Sequence, residues 1–146
     1  MINGLRFLHI LAGAAWLGAA LWVAGDVRRT LALGKPHLAA LPARIGPALG
    51  LDLWAGIATV LLGTAYMFVA YDGVHPPARI MGGFGLAVAR VLLTALLLKP
   101  AWSKLAGRIT AGEDVAAGDP AAKKLGMFSG IGHLLWILIL GSMVFG

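Results

Sequence analysis

Residues 5–25 read Leu5-Arg6-Phe7-Leu8-His9-Ile10-Leu11-Ala12-Gly13-Ala14-Ala15-Trp16-Leu17-Gly18-Ala19-Ala20-Leu21-Trp22-Val23-Ala24-Gly25. A bilayer core about 30 Å thick needs roughly 20 apolar residues per helix, and this run supplies them with Arg6 as its sole Arg or Lys. The apolar residues are continuous, without the period-two alternation of a barrel strand. The run is longer than the apolar region of a cleaved leader, about 7–15 residues, so it reads as a retained span. Three more segments qualify: 49–71, 81–98 and 126–145. The third is the shortest and contains Arg90. The expected architecture is all-α: one integral membrane domain, 1–146, forming a polytopic four-helix bundle.

Composition agrees. Of 146 residues, 60% are hydrophobic and only 12% charged, where a soluble domain carries about a quarter. The chain is too apolar for disorder. With no cysteine it is not a disulfide scaffold, a thiolate metal site or a cysteine enzyme. Two basic residues, Arg6 and Arg79, lie at the N-terminus and in the 72–80 loop. Nine lie in the 26–48 and 99–125 loops: Arg28, Arg29, Lys35, Arg44, Lys99, Lys104, Arg108, Lys123 and Lys124. The excess places those loops in the cytoplasm and both termini on the periplasmic side of a bacterial inner membrane. The net charge of +6 then reflects topology and anionic lipid, not nucleic acid, because no aromatic-basic motif accompanies it.

The loops carry little chemistry. Pro36, Pro42 and Pro47 predict a short, interrupted interfacial segment over 35–50. Trp102, Leu105 and Ile109 share one helical face opposite Lys104 and Arg108, which extends the third helix beyond Pro100 along the surface. Residues 111–122 read as a flexible turn. Trp22, Trp54 and Trp102 at the inner surface, and Phe7, Tyr71 and Phe84 at the outer, read as interface anchors. His37 falls in an inner loop and His75 in an outer one.

Ionisable groups inside a bilayer cost several kcal/mol unless paired or beside a cavity, which singles out His9, Asp52, Arg90 and His133. At about 1.5 Å rise per residue, His9 lies about 6 Å and Arg90 about 12–13 Å below the outer boundary. Asp52 lies about 5 Å and His133 about 10 Å from the inner one. The depths predict an outer pair, His9 with Arg90, and an inner pair, Asp52 with His133. The histidines differ in depth by about 15 Å, which strains any arrangement with both on one iron. Each helix also has a small or polar stripe: His9, Gly13, Trp16 and Ala20; Asp52, Gly56, Thr59, Gly63 and Tyr66; Gly83, Arg90 and Thr94; Ser129, His133 and Trp136. Such stripes let membrane helices approach closely.

The sequence Phe7-Leu8-His9-Ile10-Leu11-Ala12, followed by Trp16-Leu17-Gly18, resembles the opening helix of four-helix bacterial membrane proteins. These are the HemJ-type protoporphyrinogen oxidases and the membrane domain of the copper resistance protein D family. Arg90-Val91-Leu92-Leu93, running through Lys99 to Leu105-Ala106-Gly107-Arg108, resembles the third-helix segment of the HemJ type. Asp26-Val27-Arg28-Arg29 stands where that family has Pro-Arg, and His133 has no family counterpart.

The resemblance implies haem b and an oxidoreductase acting on a tetrapyrrole. His9 would ligate the iron, Trp16 would pack on the porphyrin, Arg90 would pair with a propionate, and His133 would be a candidate second axial ligand. The copper family implies instead a copper transport or resistance protein, with His9, Met67, Met81 and Met143 as ligands suited to Cu(I). A third reading is a small accessory subunit of a membrane complex whose buried polar residues lock helix packing. The lipid bilayer is the one certain surrounding; a homodimer or larger complex would provide room for a macrocycle.

Overall fold

The computed structural model describes residues 2–72, 74–116 and 118–145. It is helical, and no strand occurs among the described residues. Helices α1 (Ile2–Leu21) and α2 (Val23–Leu33) follow one another with a break at Trp22. A single 3-10 turn, His37–Ala40, leads into the long helix α3 (Leu41–Tyr71). Helix α4 (Ala78–Leu93) passes through a π-helical turn, Thr94–Leu98, into α5 (Lys99–Thr110), and α6 (Pro120–Val144) completes the chain. Among the described residues, four continuous helical stretches are long and apolar enough to cross a membrane: Ile2–Leu33, His37–Tyr71, Ala78–Thr110 and Pro120–Val144. The protein is a multi-pass four-helix bundle, as its hydropathy pattern predicts.

Local chemistry accounts for the helix ends. Gly34, at φ 67°, stops α2, and Asp72, at φ 41°, turns the chain out of α3. Asp119 caps α6 by accepting a hydrogen bond from the Ala121 amide at 2.8 Å. Pro120 follows at the first helical turn, where a missing N–H costs nothing. Pro100 has no N–H to offer the Leu96 carbonyl and its ring would crowd that oxygen. The wider π turn immediately before it admits the proline without ending the rod.

α1 packs along α3, and α4 along α6. We call the end carrying the 34–40 and 111–119 connections the inner end, and the end carrying the 72–77 connection the outer end. Burial is uneven between them. The larger apolar core lies at the inner end, where Val23, Val27 and Leu31 of α2 meet Leu41, Ile45 and Leu49 of α3, Trp102, Leu105 and Ile109 of α5, and Leu125 of α6. On α1 no described residue before Trp16 is buried, and on α3 none after Thr59.

Two expectations need correction here. The segment 35–50 is not an interrupted interfacial stretch. Pro42 sits in the first turn of α3, Pro47 is accommodated within it, and Leu41, Ile45, Ala48 and Leu49 are buried. The packing of this face outweighs the one hydrogen bond that Pro47 removes. Trp102 is not a surface anchor either, because it is buried in the inner core together with Leu105 and Ile109. The expected extension of the third helix beyond Pro100 is present, but it does not lie along the surface: it continues the same rod, and its apolar face is buried in the inner core.

Polar ties close this end. Arg44 of α3 pairs with Asp26 at 3.2 Å and donates to the Thr30 hydroxyl at 2.9 Å, both on α2. Arg108 of α5 reaches Glu113 at 2.7 Å and Asp119 at 2.5 Å. The Lys35 ammonium donates to the Gly112 carbonyl at 2.6 Å, joining the two inner connections.

Candidate functional site: a buried ion pair and a locked histidine

Arg90 of α4 and Asp52 of α3 are 2% and 1% exposed, and they pair with each other. Their geometry is bidentate: Nη2 to Oδ1 at 3.0 Å and Nη1 to Oδ2 at 3.2 Å. The Thr94 hydroxyl, one turn beyond Arg90, donates to Asp52 Oδ2 at 2.7 Å and accepts from Arg90 Nη1. A guanidinium fork matched to a carboxylate, with a hydroxyl filling a further lone pair, is the arrangement that makes burial of two charges tolerable.

Tryptophans and glycines form the walls. The Arg90 guanidinium carbon lies 5.8 Å from the Trp16 ring centroid, and Trp16 meets Trp136 edge to face at 5.0 Å. A Cβ on Gly56 would lie 2.8 Å from the Trp16 ring, and one on Gly132 would lie 2.8 Å from Arg90 Nε. These glycines are there because indole and guanidinium occupy the space a side chain would need. The Arg90 Nε and both indole nitrogens are buried with no hydrogen-bond partner among the described residues.

His9 sits apart from this network. Its Nδ1 is 2.9 Å from the Thr59 carbonyl oxygen. A carbonyl only accepts, so Nδ1 is the donor, and in the neutral ring Nε2 is the nitrogen left with a lone pair. The ring lies over Gly63, whose added Cβ would come within 3.0 Å of Cε1. His133 has the opposite tautomer: its Nε2 donates to the Ala20 carbonyl at 3.2 Å.

The small and polar stripes therefore face each other as the sequence predicts: His9 and Gly13 meet Thr59 and Gly63, and Trp16 meets Gly56. The pairing of charges differs. Arg90 binds Asp52 and not His9, while His133 binds Ala20 and not Asp52. Depths counted from assumed span ends misled, because α4 begins at Ala78 rather than Met81 and Arg90 lies about 18 Å along it. The long arginine side chain covers what remains of the gap.

The proposed haem environment changes accordingly. Trp16 is 0% exposed and enclosed by Trp136 and Gly56, so it has no face for a porphyrin. The Arg90 guanidinium is engaged with Asp52 and has no fork for a propionate. His133 lies level with Ala20, eleven residues from His9 on α1, about 16 Å along the axis, so the two histidines do not share an iron. His9 and His133 each have one ring nitrogen on a backbone carbonyl, and in neither does the other ring nitrogen have a hydrogen-bond partner among the described residues. Of the suggested copper ligands, Met81 and Met143 are exposed and Met67 is half-buried. Among the described residues no three His, Asp or Glu side chains gather as a metal-holding group.

Sequence reasoning missed Gly132 and the Thr59 carbonyl. Gly132 was findable as a small residue one turn before Trp136; a backbone carbonyl leaves no trace in residue identity. No family model, no curated protein and no solved structure matches this chain.

Proposed function

We propose that the protein is a multi-pass haem b protein of a bacterial inner membrane with a redox role, in which His9 is the single axial ligand supplied by the chain. The observation that carries this reading is the His9 ring itself. A backbone carbonyl holds Nδ1–H and leaves Nε2 free, which is the outer-shell arrangement that orients a ligating histidine. The ring is itself half-buried, and no described residue of α1 before Trp16 or of α3 after Thr59 is buried, which supports access for a macrocycle.

The haem would supply the electron chemistry; the chain supplies the imidazole, its orientation and an apolar surround. The likeness of the first helix to the HemJ type supports a tetrapyrrole as substrate. Nine inner-loop basic residues against two in the outer segments support termini facing the periplasm.

The test is the optical spectrum of the protein purified after expression with ample haem. A Soret band is expected in the wild type and in His133→Ala, with its loss in His9→Ala. Stoichiometric copper without a Soret band, lost on His9→Ala, would replace haem by copper. Co-purification of a larger protein with neither cofactor would favour an accessory subunit.

A further inference from the structure

At the inner end, α2 and the start of α6 border a cleft of about 450 Å³ above their apolar contact. Gly25 and Gly126 line its two sides, and a Cβ on either would meet nothing within 4 Å. These glycines therefore do not serve close helix contact, unlike Gly56 and Gly132. The floor is apolar: Val27 and Leu125 line the cleft and are 3% and 0% exposed.

Two cations stand at the rim. Arg28 and Lys123 line the same cleft from opposite helices, and both are exposed. Each lies three residues outside the apolar segment it borders, about 4–5 Å beyond the hydrocarbon edge, which is headgroup depth. Arg44, Arg90 and Arg108 all have carboxylate partners; among the described residues Arg28 and Lys123 have none. An apolar furrow topped by two cations without a carboxylate partner among the described residues matches a molecule with an acyl chain and a phosphate.

We propose that this cleft binds one anionic phospholipid, its phosphate between Arg28 and Lys123 and its chain along Val27, Gly25 and Gly126. The site is separate from His9 and does not depend on haem.

The experiment is native mass spectrometry of the full chain released from mixed micelles containing equal amounts of phosphatidylglycerol and phosphatidylcholine. One phosphatidylglycerol per chain is expected to remain in preference to phosphatidylcholine. Arg28→Gln with Lys123→Gln should reduce that retention about thirtyfold, the worth of two surface cations. Gly126→Leu should reduce it with the charges intact. Arg6→Gln with Arg79→Gln, an equal charge change at the outer end, should leave it unchanged. Three results would overturn the proposal: equal retention of phosphatidylcholine, equal loss in the Arg6/Arg79 variant, or displacement of the lipid by inorganic phosphate alone.

Discussion

Arg90 and Asp52 are the most costly residues in the chain to bury, and each makes the other tolerable. Removing one partner leaves an uncompensated charge, so Arg90→Leu or Asp52→Asn should each destabilise by about 3–5 kcal/mol. The double replacement Arg90→Leu with Asp52→Leu should recover most of that loss. Thermal unfolding in detergent of the two single variants and the double variant measures it; additive losses would show that the pair is not coupled. Steric fit gives a second prediction at this scale. Gly56→Ala and Gly132→Ala place a methyl against the Trp16 ring and Arg90 and should cost about 1–3 kcal/mol, whereas Gly18→Ala, in open space, should not. The same unfolding assay separates them, and equal midpoints for all three would remove the cradle argument. The identities of these residues were legible as rare polar groups and small-residue stripes. Their pairing was not, because depth along a helix depends on where the helix starts, and Ala78 rather than Met81 starts α4.

Among the elements, the spans were readable because hydropathy and the 3.6-residue period are local properties of a chain. The inner extensions were not. Pro36, Pro42 and Pro47 are local signals of interruption, and the helical outcome over Leu41–Leu49 depends on packing against α2, α5 and α6, which no local pattern encodes. The α5–α6 connection is held by Arg108, Glu113 and Asp119. The hydrogen bond from Arg108 holds the Asp119 carboxyl below its ordinary range, with its capping contact to Ala121 adding to the effect. A depressed folded-state pKa gives stability that is present above the unfolded value and is lost as pH falls through the folded one. This contribution should be full at neutral pH and disappear on acidification below the ordinary aspartate range. Asp119→Asn should flatten that part of the stability–pH curve, and Asp119→Ala should cost about 1 kcal/mol as a lost helix cap. An unchanged acid limb in Asp119→Asn would assign the dependence to another carboxylate.

For the whole molecule, two solvents act on one bundle. Residues 26–33 of α2 carry it about 12 Å past the apolar span, and there the hydrophobic effect operates, each buried leucine contributing about 1.5–3 kcal/mol relative to water. Within the span, lipid is as apolar as leucine, and association rests on close packing of small residues and on polar contacts. This division explains why core residues such as Leu41, Leu105 and Leu125 gather at the inner end while Leu61, Phe68 and Ile137 face outward. Overall architecture was thus visible in composition, whereas the placement of the core was visible only in three dimensions.

The uneven core has a consequence for how the chain is made. Its helices form two hairpins, each closed by an inner connection, and the two are joined at the outer end by the short 72–77 segment. Between the hairpins, the apolar zone holds the Arg90–Asp52–Thr94 network, the His133–Ala20 hydrogen bond and a small cluster of Trp16, Ala55, Ala87, Trp136 and Ile139, while the larger inner core draws on both hairpins. Each hairpin can therefore enter the bilayer as a unit during synthesis, and the larger part of the seam that joins them closes afterwards, at the face where water drives it.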